Sequence, residues 1–288
     1  MVSRLGILLM RVIAPLPLGW VRAMGRVLGW ALYAVVVPRR RVVRTNLEQC
    51  FPQWSEAERA AMVPRVFVCF AQAWLDRGWL WHAHPDVVRR RLNFIGAVDE
   101  FDDNAPTVIF APHFVGMDAA LTALTQRLPR PFVGIYTDQA NKVVDAWLLK
   151  GRMRFGTVHP SGRIDGVRGI VSSLRQGALM YLLPDMNFGP EESIFVPFYG
   201  VPAATVPSLS RFARLGRAKV VPVVSRMTPQ GYDIEVMPAW KDFPTSDIEA
   251  DTARMNLRLQ GWIDRMPEQY YWVHKRFKTR PPGSPGLY

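Results

Sequence analysis

Cysteine is scarce in this chain of 288 residues, which holds only Cys50 and Cys69. Two thiols cannot staple a chain of this length, and no Cys-x-x-Cys pair or Cys/His cluster is present to hold zinc. A disulfide scaffold and a structural metal module are therefore excluded, and a reducing, cytoplasm-facing compartment fits. Acidic residues are missing altogether from residues 1–47. That segment carries Arg4, Arg11, Arg22, Arg26, Arg39, Arg40, Arg41 and Arg44, which supply +8 of the net charge of +12. A long hydrophobic run is missing too. Between Leu5 and Val37 the apolar residues are interrupted by Arg11, Arg22 and Arg26 and broken by Pro15 and Pro17. The uncharged runs Val12–Val21 and Val27–Val37 fall well short of the roughly 20 residues that a spanning helix needs. No single apolar core followed by a small-residue cleavage site marks a secretory signal, and no Gly-x-Ser-x-Gly elbow offers a serine nucleophile. Disorder of the whole chain is excluded by its 49% hydrophobic content, which is enough to bury a sizeable core.

What is present divides at about residue 45. Residues 1–45 read as basic, apolar helical pieces lying in a membrane interface, with Trp20 and Trp30 at headgroup depth and arginines snorkelling outward. Arg39, Arg40, Arg41 and Arg44 would then meet anionic headgroups on the cytoplasmic side. A true membrane span and a buried amphipathic helix of a soluble protein are the alternatives. Residues 46–288 read as a catalytic-type α/β domain. Ser55 with Glu58 three residues on is a capping box that opens a long helix, and Pro64 inside it predicts a kink. Trp74, Trp79 and Trp81 on that helix read as packing residues. From about residue 92, short apolar runs alternate with helical stretches. Strands are expected at 107–111, 132–136, 178–183, 194–198 and 219–224, with 232–237 as an edge strand. Helices are expected at 116–126, 140–154, 164–176, 206–215 and 248–265. This alternation predicts an α/β fold with a mixed, largely parallel sheet flanked by helices.

The chemistry gathers where strands end. The run from Thr107 to Ala111 stops at Pro112, His113 follows, and Asp118 lies five residues further on at the opening of a helix. Ligands of open α/β sheets bind outside the carboxyl ends of strands. The His-x4-Asp spacing lets the carboxylate reach one imidazole nitrogen and leaves the other as a base. A base without a protein nucleophile suggests that the substrate supplies the hydroxyl. A structural histidine is the alternative for this motif taken alone. A second apolar strand stops at Pro184-Asp185, which puts Asp185 on the same rim if the strands are parallel; a turn cap is the other reading. Arg152, Arg154 and Arg163 are candidates to bind phosphate, against ordinary solvated arginines. Residues 267–280 set aromatics before the basic cluster His274, Lys275, Arg276, Lys278 and Arg280. On charge alone that cluster suits RNA, a phosphorylated glycolipid or an acidic carrier protein.

These residues carry a resemblance. The Arg-bearing apolar N-terminus, Arg44-Thr45-Asn46-Leu47, the His113/Asp118 box, the stretch Leu183 to Gly189, the stretch Phe195 to Gly200 and the closing stretch Pro267 to Pro281 resemble the secondary (lauroyl/myristoyl) acyltransferases of lipid A biosynthesis. That family lies within the glycerolipid acyltransferase superfamily, whose box is His-x4-Asp/Glu. The match runs almost end to end, and many lauroyl-type members carry Glu where this chain has Asp118. The resemblance implies a glycerolipid acyltransferase-like fold and transfer of an acyl chain from acyl-acyl carrier protein to a hydroxyl of a hydroxyacyl chain. The acceptor would be a Kdo-bearing lipid A precursor, and the place the cytoplasmic face of the cell inner membrane. It implies His113 as general base and Asp118 as the group that orients it. Arg152, Arg154 or Arg163 would hold the oxyanion or a lipid phosphate. No metal, cofactor or nucleic acid is called for. The rival expectations are an acyltransferase acting on a lysophospholipid or another membrane lipid, a thioester hydrolase, and a non-catalytic membrane-binding protein.

Overall fold

Three helices lead the chain: α1 (Val2–Ile13), α2 (Leu18–Val35) and α3 (Val37–Cys50). The computed structural model describes residues 2–162 and 167–288. Helix α4 (Glu56–His82) follows, opened by the expected capping box: the Ser55 side chain accepts from the Glu58 backbone, and the Glu58 carboxylate accepts from the Ser55 backbone. It runs unbroken through Pro64. The remaining elements are α5 (Pro85–Arg90), β1 (Leu92–Gly96), β2 (Thr107–Phe110), α6 (Met117–Arg127), β3 (Phe132–Tyr136), α7 (Lys142–Arg152), β4 (Val158–Gly162), α8 (Val167–Arg175), β5 (Leu179–Leu182), β6 (Ile194–Phe198), β7 (Val201–Thr205), α9 (Ser208–Gly216), β8 (Lys219–Thr228), β9 (Gly231–Val236) and α10 (Ile248–Arg265).

Seven strands form one sheet in the order β1-β9-β8-β2-β5-β3-β4, and β6 and β7 form a separate hairpin. Strands β8, β2, β5, β3 and β4 run parallel, while β9 is antiparallel to β8 and carries β1 parallel to itself. The sheet is therefore mixed and largely parallel, as expected. Alternate residues of its central strands feed two apolar layers. Val108, Phe110, Met180, Leu182 and Val220 face the layer shared with α3, α8, α9 and α10. Ile109, Leu179, Tyr181, Val221 and Val223 face the layer shared with α1, α2 and α5 to α7. Helix α4 belongs to both layers: Met62, Val63, Val66 and Phe67 enter the first, and Leu75, Trp79, Leu80 and Trp81 the second.

Two sequence expectations need correction. The 232–237 segment is not an edge strand, because β9 is hydrogen-bonded to β1 on one side and β8 on the other. Its alternating burial reports that one face is covered, and says nothing about neighbours within the sheet. Strands β1, β4 and β7 were not anticipated. Strand β4 contains Pro160 and lies at the sheet edge, where a missing N–H is tolerated. Among the described residues no single helix is long and apolar enough to cross a membrane; α2 and α3 pass that test only together, bent by 93°.

Candidate active site

The register of β2 and β5 builds the site. Phe110 pairs with Leu182, so the chain positions three residues beyond each, His113 and Asp185, leave the sheet side by side. His113 Nδ1 lies 2.8 Å from Asp185 Oδ1. The His113 backbone N–H donates to both carboxylate oxygens, at 3.3 and 3.1 Å. The Tyr270 hydroxyl donates to Oδ2 at 3.0 Å. Asp185 is fully buried. Burial works against its charge, but the opposed His113 and these donors outweigh it and lower its pKa. An ionised acceptor at this position fixes Nδ1 as the protonated nitrogen. Nε2 of His113 has no hydrogen-bond partner among the described residues, and the side chain is 19% exposed. The result is an oriented imidazole with a free lone pair at the sheet's carboxyl rim.

The segment after α10 straps this loop down. Tyr271 N–H donates to the His113 carbonyl at 3.0 Å, and Val115 N–H donates to the Gln269 carbonyl at 2.8 Å. Phe114 and Tyr270 form a β-bridge. Asn46 of α3 in turn donates to the carbonyls of Trp272 and His274, both at 2.8 Å. The closing stretch and the Arg44-Thr45-Asn46-Leu47 stretch, far apart in sequence, thus support the one loop that carries His113.

Asp118 does not orient His113. Its carboxylate lies in the first turn of α6, turned toward α4 and α7 and held by two guanidiniums. Arg77 Nε and Nη2 reach Oδ2 at 2.8 and 2.6 Å, and Arg152 Nε reaches Oδ1 at 2.8 Å. Burial opposes its charge; Arg152 and then Arg77 overcome this and hold the pKa down at about 2. The histidine's carboxylate partner comes from the parallel neighbouring strand, because the box spacing places Asp118 on a helix already turning away. Tyr271 stands beside His113, with its ring centroid 6.2 Å from that of the imidazole. Burial raises its phenol pKa against the charges of Arg77 and Arg39.

Of the arginines singled out from the sequence, Arg152 joins this site and Arg154 does not. Arg154 donates to the Leu80 carbonyl at 2.9 Å and to the Ala83 carbonyl, closing the C-terminal end of α4. Arg163 lies outside the described residues. The sequence reading missed Arg77 and Tyr270. The signal for Arg77 was the adjacent pair Asp76-Arg77 inside the otherwise uncharged stretch Val66–Trp81 of α4. Asp76 is a second buried carboxylate, bound by Arg22, Trp79 and Tyr232, and it ties α2 to α4 and β9. Among the described residues no group of three or more His, Cys, Asp or Glu is arranged to hold a metal ion.

The model of the family described as bacterial lipid A biosynthesis acyltransferase matches residues 1–279. The chain is 32% identical to a lipid A biosynthesis lauroyltransferase of Escherichia coli (strain K12) over 290 residues, covering 99% of this chain and 94% of that protein. It is 34% identical to a lipid A biosynthesis myristoyltransferase of the same organism over 251 residues, covering 85% and 77%. A lipid A biosynthesis palmitoleoyltransferase, also from that organism, is 32% identical over 259 residues, covering 87% and 82%.

Proposed function

This chain belongs to the bacterial lipid A biosynthesis acyltransferase family and is an acyltransferase, and from that premise we propose how and on what it acts. It transfers an acyl chain from acyl-acyl carrier protein to a hydroxyl of a hydroxyacyl chain on a Kdo-bearing lipid A precursor, at the cytoplasmic face of the inner membrane. The observation that carries the mechanism is the His113–Asp185 pair at 2.8 Å with Nε2 left free. Nε2 takes the proton of the acceptor hydroxyl as its oxygen attacks the thioester carbonyl carbon. Asp185 holds the ring and offsets the imidazolium charge that forms. The tetrahedral oxyanion collapses, the carbon–sulfur bond breaks, and the imidazolium returns its proton to the leaving thiolate. Arg152, held by Asp118, is the cation that meets the anionic charge. The exposed apolar residues of α1 and α2 support a membrane-bound acceptor.

The test combines purified protein, a mixture of acyl-acyl carrier proteins and a tetra-acylated, Kdo-bearing precursor, read by mass spectrometry. The mass of the product should rise by one acyl group, and its size reports the preferred chain. His113→Ala should abolish the gain, and Asp185→Asn should reduce kcat by about 100-fold or more. Turnover retained in His113→Ala would sink the general-base role. No gain with the thioester intact would move the search to lysophospholipid acceptors, and thioester cleavage without acceptor would make the protein a hydrolase.

A further inference from the structure

Arginine is rarely buried unless it is paired, and Arg77 sits in the C-terminal part of α4 with its side chain 9% exposed. Every nitrogen of its guanidinium is committed. Nε and Nη2 both address Asp118 Oδ2, at 2.8 and 2.6 Å, and Nη1 addresses the Ala73 carbonyl at 3.4 Å. Its carbon centre lies 4.6 Å from the Trp74 ring centroid and 5.7 Å from that of Trp81. No group of Arg77 is left to touch a substrate. Arg152 is the opposite case. It meets Asp118 through Nε alone, its side chain is 27% exposed, and its two terminal nitrogens have no hydrogen-bond partner among the described residues.

We propose that Arg77 is a positioning residue of this active site: by occupying Oδ2 of Asp118 it keeps the terminal nitrogens of Arg152 free to hold an anion. The inference rests on the transfer reaction proposed above. One carboxylate shared by two guanidiniums leaves the trio with one positive charge in excess. Without Arg77, Asp118 and Arg152 would form a neutral pair. Arg152 would then be drawn into the fork-to-fork geometry that an arginine and a carboxylate favour, which turns its terminal nitrogens inward. Tyr271, whose ring stands beside that of His113, feels the charges of Arg77 and Asp118, and the ligand of the excess charge is an anionic oxygen. That oxygen belongs either to a phosphate of the glycolipid acceptor or to the oxyanion that forms at the thioester carbonyl.

Steady-state transfer assays on Arg77→Met and Arg77→Lys distinguish these sources, with circular dichroism to confirm folding. Arg77→Met should lose about tenfold or more in kcat/KM. Arg77→Lys, which keeps the charge, should recover most of it. A loss confined to KM for the phosphorylated acceptor assigns the phosphate. A loss confined to kcat assigns the oxyanion. If Arg77→Met fails to fold, Arg77→Leu is read in the same way, since it too is neutral and has no donor to Asp118. Either of two results overturns the proposal: a neutral variant with both parameters within about twofold of the unsubstituted enzyme, or Arg77→Lys as impaired as the neutral variant, because packing and not charge would then be what was lost. An unsubstituted enzyme that transfers nothing to the phosphorylated precursor would instead defeat the transfer reading itself.

Discussion

His274 shows how the environment of a single side chain sets a measurable property of this protein. Its backbone N–H donates to the Tyr271 carbonyl at 3.1 Å, and its Nε2 is buried with no hydrogen-bond partner among the described residues. Burial, and then the charge of nearby His113, depress its pKa from 6.5 to about 4. The folded protein therefore resists a proton that the unfolded chain accepts. Between pH 6.5 and about 4 the unfolded state binds more protons, so the stabilisation present above pH 6.5 is lost as pH falls through that window. Urea unfolding measured from pH 7.5 to 4 should show this decline, and His274→Gln should flatten it. An equally steep decline in the variant would assign the effect elsewhere, for instance to His82, whose pKa burial also lowers. Asp118, with its pKa held down at about 2, loses its contribution only below pH 4 and leaves this window clear. At this scale the sequence pointed to His113, Asp118, Arg152 and Asp185, missed Arg77 and Tyr270, and gave His113 the wrong carboxylate partner. His113 and Asp185 were legible as strand-end residues. Their pairing was not, because it depends on the β2–β5 register and on which way α6 turns Asp118.

At the scale of elements, α2 and α4 pack backbone to backbone. Gly25 and Gly29 lie one turn apart on α2 and face α4 directly. A Cβ on Gly29 would stand 2.5 Å from the Val68 Cα, and one on Gly25 would stand 2.7 Å from the Gln72 Cα. Backbone leaves no room to yield, so Gly29→Val should push the helices apart and lower stability by about 1–3 kcal/mol. Gly19→Val on the same helix meets nothing within 4 Å and serves as the control in thermal unfolding. Equal losses from the two substitutions would mean that helix propensity, and not interhelical contact, is what Gly29 governs. The N-terminal helices are thus tied to the catalytic layer by close packing and by the buried Arg22–Asp76 pair at 2.8 Å. Composition could not reveal this, because an apolar, arginine-bearing helix reads the same whether it lies on lipid or on protein. Helix α2 lies on protein along one face and leaves the other open: Val21, Gly25 and Gly29 are buried while Trp20, Val27 and Trp30 are exposed. The long helix, the central strands and the capping box were legible from periodicity and local chemistry. Strands β1, β4 and β7 were not, since their pairing partners supply what their own sequences lack.

For the whole molecule, the decisive feature is a surface that water alone does not explain. On α1, Leu5, Leu8, Leu9 and Val12 are 67%, 54%, 44% and 60% exposed; on α2, Trp20, Met24, Val27 and Trp30 are 70%, 38%, 72% and 52% exposed. Their spacing of three and four residues gathers them into a stripe on each helix. Exposed Arg4, Arg11 and Arg26 flank these stripes, and Arg41 and Arg44 extend the charge along α3. An apolar stripe bordered by arginines is what an anionic lipid surface attracts, by burial of the side chains and by charge. Helices α1 and α2 both pack against α4, which carries Arg77, so a lipid surface bound to them would be joined to the site through α4. Sedimentation with vesicles of mixed neutral and anionic phospholipid tests this. The unsubstituted protein should co-sediment with them. The double substitution Leu8→Glu and Val27→Glu removes two exposed apolar contacts, each worth about 1.5–3 kcal/mol when fully buried, and adds two negative charges. It should weaken binding by more than about tenfold while leaving thermal unfolding unchanged, since neither side chain packs inside the protein. Raising salt should remove only part of the unsubstituted protein's binding, because screening acts on the arginines and not on the apolar stripe. Undiminished binding of the double variant would place the lipid-facing surface elsewhere, and binding abolished by salt alone would make it purely electrostatic.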